Sequence, residues 1–224
     1  MKYEIKGGSF PVVVCDVEAE QAVRCQRGAM AWMSENMEMS TKSGGLGKAF
    51  GKFMTGESIF ENIYTAKGGA GSITFSSGVP GEILPIELNG SNNIVAQKSS
   101  YLASDNTVSM EVFFQKKFGT GVFGGEGFIM QKFTGNGTVL IQAGGSLIDY
   151  DLQPGQTIIV QTGTLCAMES TVSMDIVTVK GLGNMLAGGE GFFNTKLTGP
   201  GKVWLQTMSL VELAGAISPY LPSK

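Results

Sequence analysis

Nineteen carboxylates, three thiols and no histidine are the groups from which this 224-residue chain could build chemistry. Without imidazole there is no Ser-His-Asp or Cys-His nucleophile, no histidine zinc site and no ordinary general base at neutral pH. Asp149 and Asp151 lie two apart, on one face of a presumed strand, where a carboxylate pair could divide acid and base work. A solvated strand face accounts for the same pair, and no catalytic residue is assigned. Glu57, Glu126 and Glu190 are the other candidates, each set in a glycine-rich stretch. As a set they could hold a hard cation or line a ligand cleft. Alternatively each accepts N–H bonds from its own turn, the reading that their repetition favours. No metal ligand and no cofactor is assigned.

Other motifs are weaker. Residues 119–124 spell a literal GxGxxG, but the pattern has physical meaning only between a strand and a helix, and no helical periodicity follows it. Cys15, Cys25 and Cys166 show no CxxC spacing and read as small buried hydrophobes in a reducing compartment. A formal net charge of −3 argues against nucleic acid as a partner. No apolar run is long enough to span a membrane, and no leader is evident at the first residues, so a soluble cytoplasmic protein is expected.

The elements that must position these groups read as β-strands, because 33 glycines and 16% charged residues suit short strands and tight turns better than helices. The stretch Gly-Gly-Glu-Gly-Phe at 124–128 returns at 188–192, an offset of 64. Thr-Val-Ser-Met at 107–110 returns at 171–174, and 131–142 matches 195–206, at the same offset. A more divergent copy runs from Met37-Glu38-Met39 through Glu57 to residues 69–75. Three internal repeats follow, at 1–80, 81–144 and 145–224, each of five to seven short strands. Residues 134–137 and 198–201 read as hairpin-type connections. Leu46, Phe50 and Phe53 allow a short helix within 44–56, and the counterparts at 116–125 and 180–189 are glycine-rich with large apolar residues. These loops suit either subunit contacts or a flap over each unit. Met30, Trp32, Met33, Met37 and Met39 form a soft apolar cluster, read as core filling with a partner surface as the alternative. The last apolar stretch, 208–217, is expected to pack on the surface.

The order of Gly28-Ala29-Met30, Glu57, the Gly-Gly-Glu-Gly-Phe loops and Gly-Pro-Gly-Lys-Val-Trp-Leu-Gln at 199–206 resembles the bacterial branch of the altered-inheritance-of-mitochondria protein 24 family. That resemblance implies a fold similar to the trp RNA-binding attenuation protein, a short double-stranded β-helix repeated with pseudo-threefold symmetry and assembling into rings. It carries over no enzymatic residues, and the attenuation protein's RNA site has no matching basic motif here. The expectation is an all-β, non-enzymatic scaffold whose partner is itself, a trimer being favoured. The alternatives are a small-molecule or cation-binding module at clefts between repeats and a peripheral membrane-associated organiser.

Overall fold

The computed structural model describes residues 1–41, 61–116, 127–178 and 193–222. The strands are β1 (Lys2–Lys6), β2 (Val12–Val17), β3 (Ala22–Gln26), β4 (Met30–Met33), β5 (Met37–Thr41), β6 (Glu61–Ala66) and β7 (Gly71–Ser76). Next come β8 (Gly81–Asn89), β9 (Ile94–Gln97), β10 (Tyr101–Asp105), β11 (Val108–Lys116) and β12 (Phe128–Gly144). The last are β13 (Leu147–Leu152), β14 (Thr157–Gln161), β15 (Leu165–Glu169), β16 (Ser173–Thr178), β17 (Phe193–Thr198) and β18 (Gly201–Gln206), followed by the α-helix α1 (Leu210–Ile217), the one such helix among the described residues. The fold is mostly β, in antiparallel sheets that do not close into a barrel.

One scheme of four antiparallel pairings occurs three times. β7 lies between β2 and β4 while β6 lies between β3 and β5. The second half of β12 takes β8 and β10, and its first half takes β9 and β11. Finally β18 takes β13 and β15 while β17 takes β14 and β16. A β-bulge falls at the same place in three of these pairings, between Met30 and Trp32, Tyr101 and Ala103, and Leu165 and Ala167. Two further pairings join successive sets, β3 with β10 and β9 with β15.

Alternation within the strands builds three apolar cores in series. Val13, Cys15, Ile73 and Phe75 anchor the first, with Ala103 and Leu140 reaching into it from β10 and β12. Phe133, Val139 and Ile141 anchor the second, joined by Cys166 and Ala167 of β15. Leu165, Leu197 and Val203 anchor the third, joined by Phe128 and Met130 of β12. Every core thus borrows side chains across a joint, so neighbouring sets fold against each other. The three thiols are free and buried, as expected, and burial pushes each up to about 12, which keeps it protonated at neutral pH.

Neither expected hairpin exists. Residues 134–137 lie inside β12, and 198–201 join β17 to β18, which belong to different sheets. Gly135, Gly137 and Gly201 carry φ of +107°, +134° and +136°. Glycine bends the extended chain from one sheet into the next here instead of reversing it, and a sequence cannot separate the two uses. Trp32, expected in the core, is 57% exposed, whereas Ala103 and Ala167 are fully buried. The difference is a missing neighbour: β10 and β15 have a strand on each side, β4 only β7.

A Cβ placed on Gly137 would lie 2.8 Å from the Cβ of Asp105, at a φ that L residues rarely adopt. Gly137→Ala should therefore lower stability by more than ~1 kcal/mol, measured by urea denaturation.

Candidate functional site

Glu57, Glu126, Glu190, the GxGxxG at 119–124, the expected helix within 44–56 and almost all of its two counterpart segments lie outside the described residues. Asp149 and Asp151 are described, and they form no acid–base pair. Both project from β13 toward Lys202 on β18, whose Nζ sits 3.0 Å from Asp149 and 3.7 Å from Asp151. Hydrogen bonding and charge from Asp149 first, and charge from Asp151, raise the Lys202 pKa. The carboxylates are mostly solvated, and an exposed cluster of this kind contributes little to stability.

The acids with a repeated role are Asp105 and Glu169. The backbone N–H of Thr138 donates to Asp105 at 2.7 Å, and that of Lys202 donates to Glu169 at 2.9 Å. Ser34 does the same work with a hydroxyl, accepting from the Ser72 N–H at 2.7 Å. In each case a side chain at the end of one strand clamps the strand beside it, just where a glycine (71, 137 or 201) leaves room. The offset of 64 between Asp105 and Glu169, and between Thr138 and Lys202, was the available signal.

A cavity of about 190 Å³ opens at the first joint, lined by Gln26, Arg27, Ser99, Gln142, Gln206 and Met208 among others. It is smaller than most cofactor sites. Its two inner amides are engaged with backbone. Gln142 Nε2 donates to the Ser99 carbonyl at 2.8 Å, and its Oε1 accepts from the Gly78 N–H at 2.8 Å. Gln206 Nε2 donates to the Gly163 carbonyl at 2.8 Å, and its Oε1 accepts from the Gly144 N–H at 2.9 Å. These amides fasten loops to strands. Among the described residues no group of three or more His, Cys, Asp or Glu is placed to hold a metal ion.

The unusual surface is at the strand edges. Among the described residues eight strands have a neighbour on one side only: β1, β4, β5, β8, β11, β13, β14 and β16. Six of them carry a charge or a proline within the strand, for example Lys2 in β1, Glu38 in β5, Pro85 in β8 and Asp175 in β16. Such residues discourage further strand addition. β4, Met-Ala-Trp-Met, and β14, Thr-Ile-Ile-Val-Gln, carry neither. Both expose large apolar side chains, with Trp32 at 57%, Met33 at 38% and Ile159 at 63%. A second apolar surface is α1 and the residues after it. Ser209 and Glu212 form a reciprocal capping box that starts the helix, yet none of its residues is buried. Among the described residues no helix is long and apolar enough to cross a membrane.

A family model described as mitochondrial biogenesis AIM24 matches residues 3–208. The chain belongs to the AIM24 family. A relative, an uncharacterised protein of Streptococcus pyogenes serotype M6, is 30% identical over 223 residues, which is 96% of this chain and 88% of the relative. The crystal structure of another Streptococcus pyogenes protein is similar to this chain with a TM-score of 0.83 at 25% identity, covering 98% of this chain and 99% of that one. The AIM24 match thus spans all the pairings described above.

In this AIM24-family chain the amide seam should be a stability element. Gln206→Leu keeps the volume but strands the Gly144 N–H and the Gly163 carbonyl, and should cost about 1–3 kcal/mol by urea denaturation.

Proposed function

We propose that this chain is a non-enzymatic cytoplasmic scaffold that binds copies of itself and closes into a ring, with a trimer as its size. The observation that carries the proposal is the pair of uncharged, apolar strand edges, β4 and β14, at opposite ends of the row of sheets. An edge with free N–H and C=O groups and exposed Trp, Met and Ile is a template for strand addition, and monomeric proteins blunt such edges. The three occurrences of one pairing scheme support reading residues 1–80, 81–144 and 145–224 as three units of a double-stranded β-helix kind, similar to the attenuation protein, set in an open row rather than closed within the chain by a pseudo-threefold axis. Units that already associate edge to edge within a chain can do so between chains. The mass in solution tests this reading. Light scattering at micromolar concentration should give three times the 23.6 kDa protomer, and a strict monomer would overturn it.

A second reading, peripheral contact with a membrane surface, is favoured by α1 and the residues that follow. Leu210, Val211, Ile217, Tyr220 and Leu221 are all exposed, at 51%, 41%, 46%, 87% and 62%. An apolar helix next to a polar body suits the interface of a bilayer. On this reading the protein floats with liposomes and loses flotation in the Val211→Glu, Ile217→Glu variant; failure of the unaltered protein to float dismisses it.

A further inference from the structure

The two joints inside the chain obey one register. At the first, Ala103 of β10 faces Cys25 of β3, Ser104 faces Arg24 and Asp105 faces Val23. At the second, Ala167 of β15 faces Ala96 of β9, Met168 faces Val95 and Glu169 faces Ile94. The bulges place Trp32 of β4 at the position of Ala103 and Ala167, since all three follow the bulge and face the central strand of their own set. Pairing with the partner strands β6, β12 and β17 likewise places Ile158 of β14 at the position of Val23 and Ile94, facing Leu197 where those face Tyr64 and Phe133. β4 is therefore the third strand of the β10 and β15 kind, and β14 the third of the β3 and β9 kind. Both are unpaired on the side where their counterparts form a joint.

Burial follows the same division. β9, β10 and β15 are buried almost throughout, whereas β4 and β14 are largely exposed. The residues on the bare strands nevertheless remain apolar. Trp32, Met33 and Ile159 are side chains that a covered joint would accept, and tryptophan is among the residues enriched at interface hot spots.

We infer that β14 of one copy adds antiparallel to β4 of the next in this register, with Trp32 opposite Val160 of the neighbouring copy, Met33 opposite its Ile159 and Ser34 opposite its Ile158. The inference rests on the self-association proposed above and adds its geometry. Because the two edges differ, the contact is head-to-tail, and the same contact repeats around a ring with no twofold axis between neighbours.

The test uses two variants of the full chain, Met33→Cys and Ile159→Cys, one of them carrying a size tag, mixed under mild oxidation. Directly opposed residues in an antiparallel pair lie within the Cα separation that a disulfide spans. The native thiols are buried and do not compete. The expected product is a mixed, tagged-to-untagged disulfide in most of the material, with each variant alone giving none. Self-linking of either variant alone, which reports β4 on β4 or β14 on β14, overturns the joint. So does an oligomer, confirmed by light scattering, that yields no mixed link; self-association then stands and this geometry falls. A monomer sinks both. As a second arm, Trp32→Glu places a charge at the position that Ala103 and Ala167 hold, fully buried, at the two inner joints. It should reduce the particle to single protomers while leaving the urea midpoint of the protomer unchanged, and an unaltered particle mass overturns the joint.

Discussion

Backbone hydrogen bonding between strand edges is the constraint on which the rest of this molecule depends. Joining β3 to β10 and β9 to β15 merges what would be separate small sheets and closes edges that would otherwise face water. Each joint also carries side chains across the boundary, so that Leu140 completes one core and Cys166 another. A unit of this size buries too small a fraction of its surface to be comfortable alone. Sharing cores in a row supplies the missing burial, and it leaves β4 and β14 without the partner that their counterparts have at the joints.

Around that row, polar groups act as fasteners. Asp105, Glu169 and Ser34 hold a backbone N–H of the neighbouring strand, while Gln142 and Gln206 hold the loops against the strand ends. Each is a buried or half-buried group whose hydrogen-bonding capacity is met by backbone, the condition under which polar groups sit inside a fold at low cost. The absence of histidine from the chain fits this pattern: the titratable groups described are engaged in structure or lie in solvent.

Much of this was legible in the residues. The offset of 64 associates Val108 with Val172, both buried, and it also links the clamps made by Asp105 and Glu169, which lie outside the more obvious Gly-Gly-Glu-Gly-Phe stretches. What was not legible has definite physical reasons. Alternation tells which face of a strand is apolar but not whether another strand lies beside it, so Trp32 was placed in the core. A glycine with positive φ serves a reversal and a bend equally well, so the crossings at 134–137 and 198–201 were read as hairpins. The helix α1 has no counterpart among the sequence expectations, which give only an apolar stretch at 208–217, although Ser209-x-x-Glu212 ahead of it is a capping-box signature. The pairing of β3 with β10 joins residues about 80 apart, and no local pattern specifies it.

The long strand β12 has a mechanical meaning. At roughly 3.3 Å per residue its 17 residues make up about 55 Å of chain, bent at Gly135 and Gly137, with β9 and β11 gripping one half and β8 and β10 the other. A tension applied along the chain at this point meets ladders oriented so that many hydrogen bonds must shear together, not unzip one after another. β12 therefore acts as the tie-rod of the middle set: one continuous strand carries both of its halves across the bend at Gly135 and Gly137, with no turn between them.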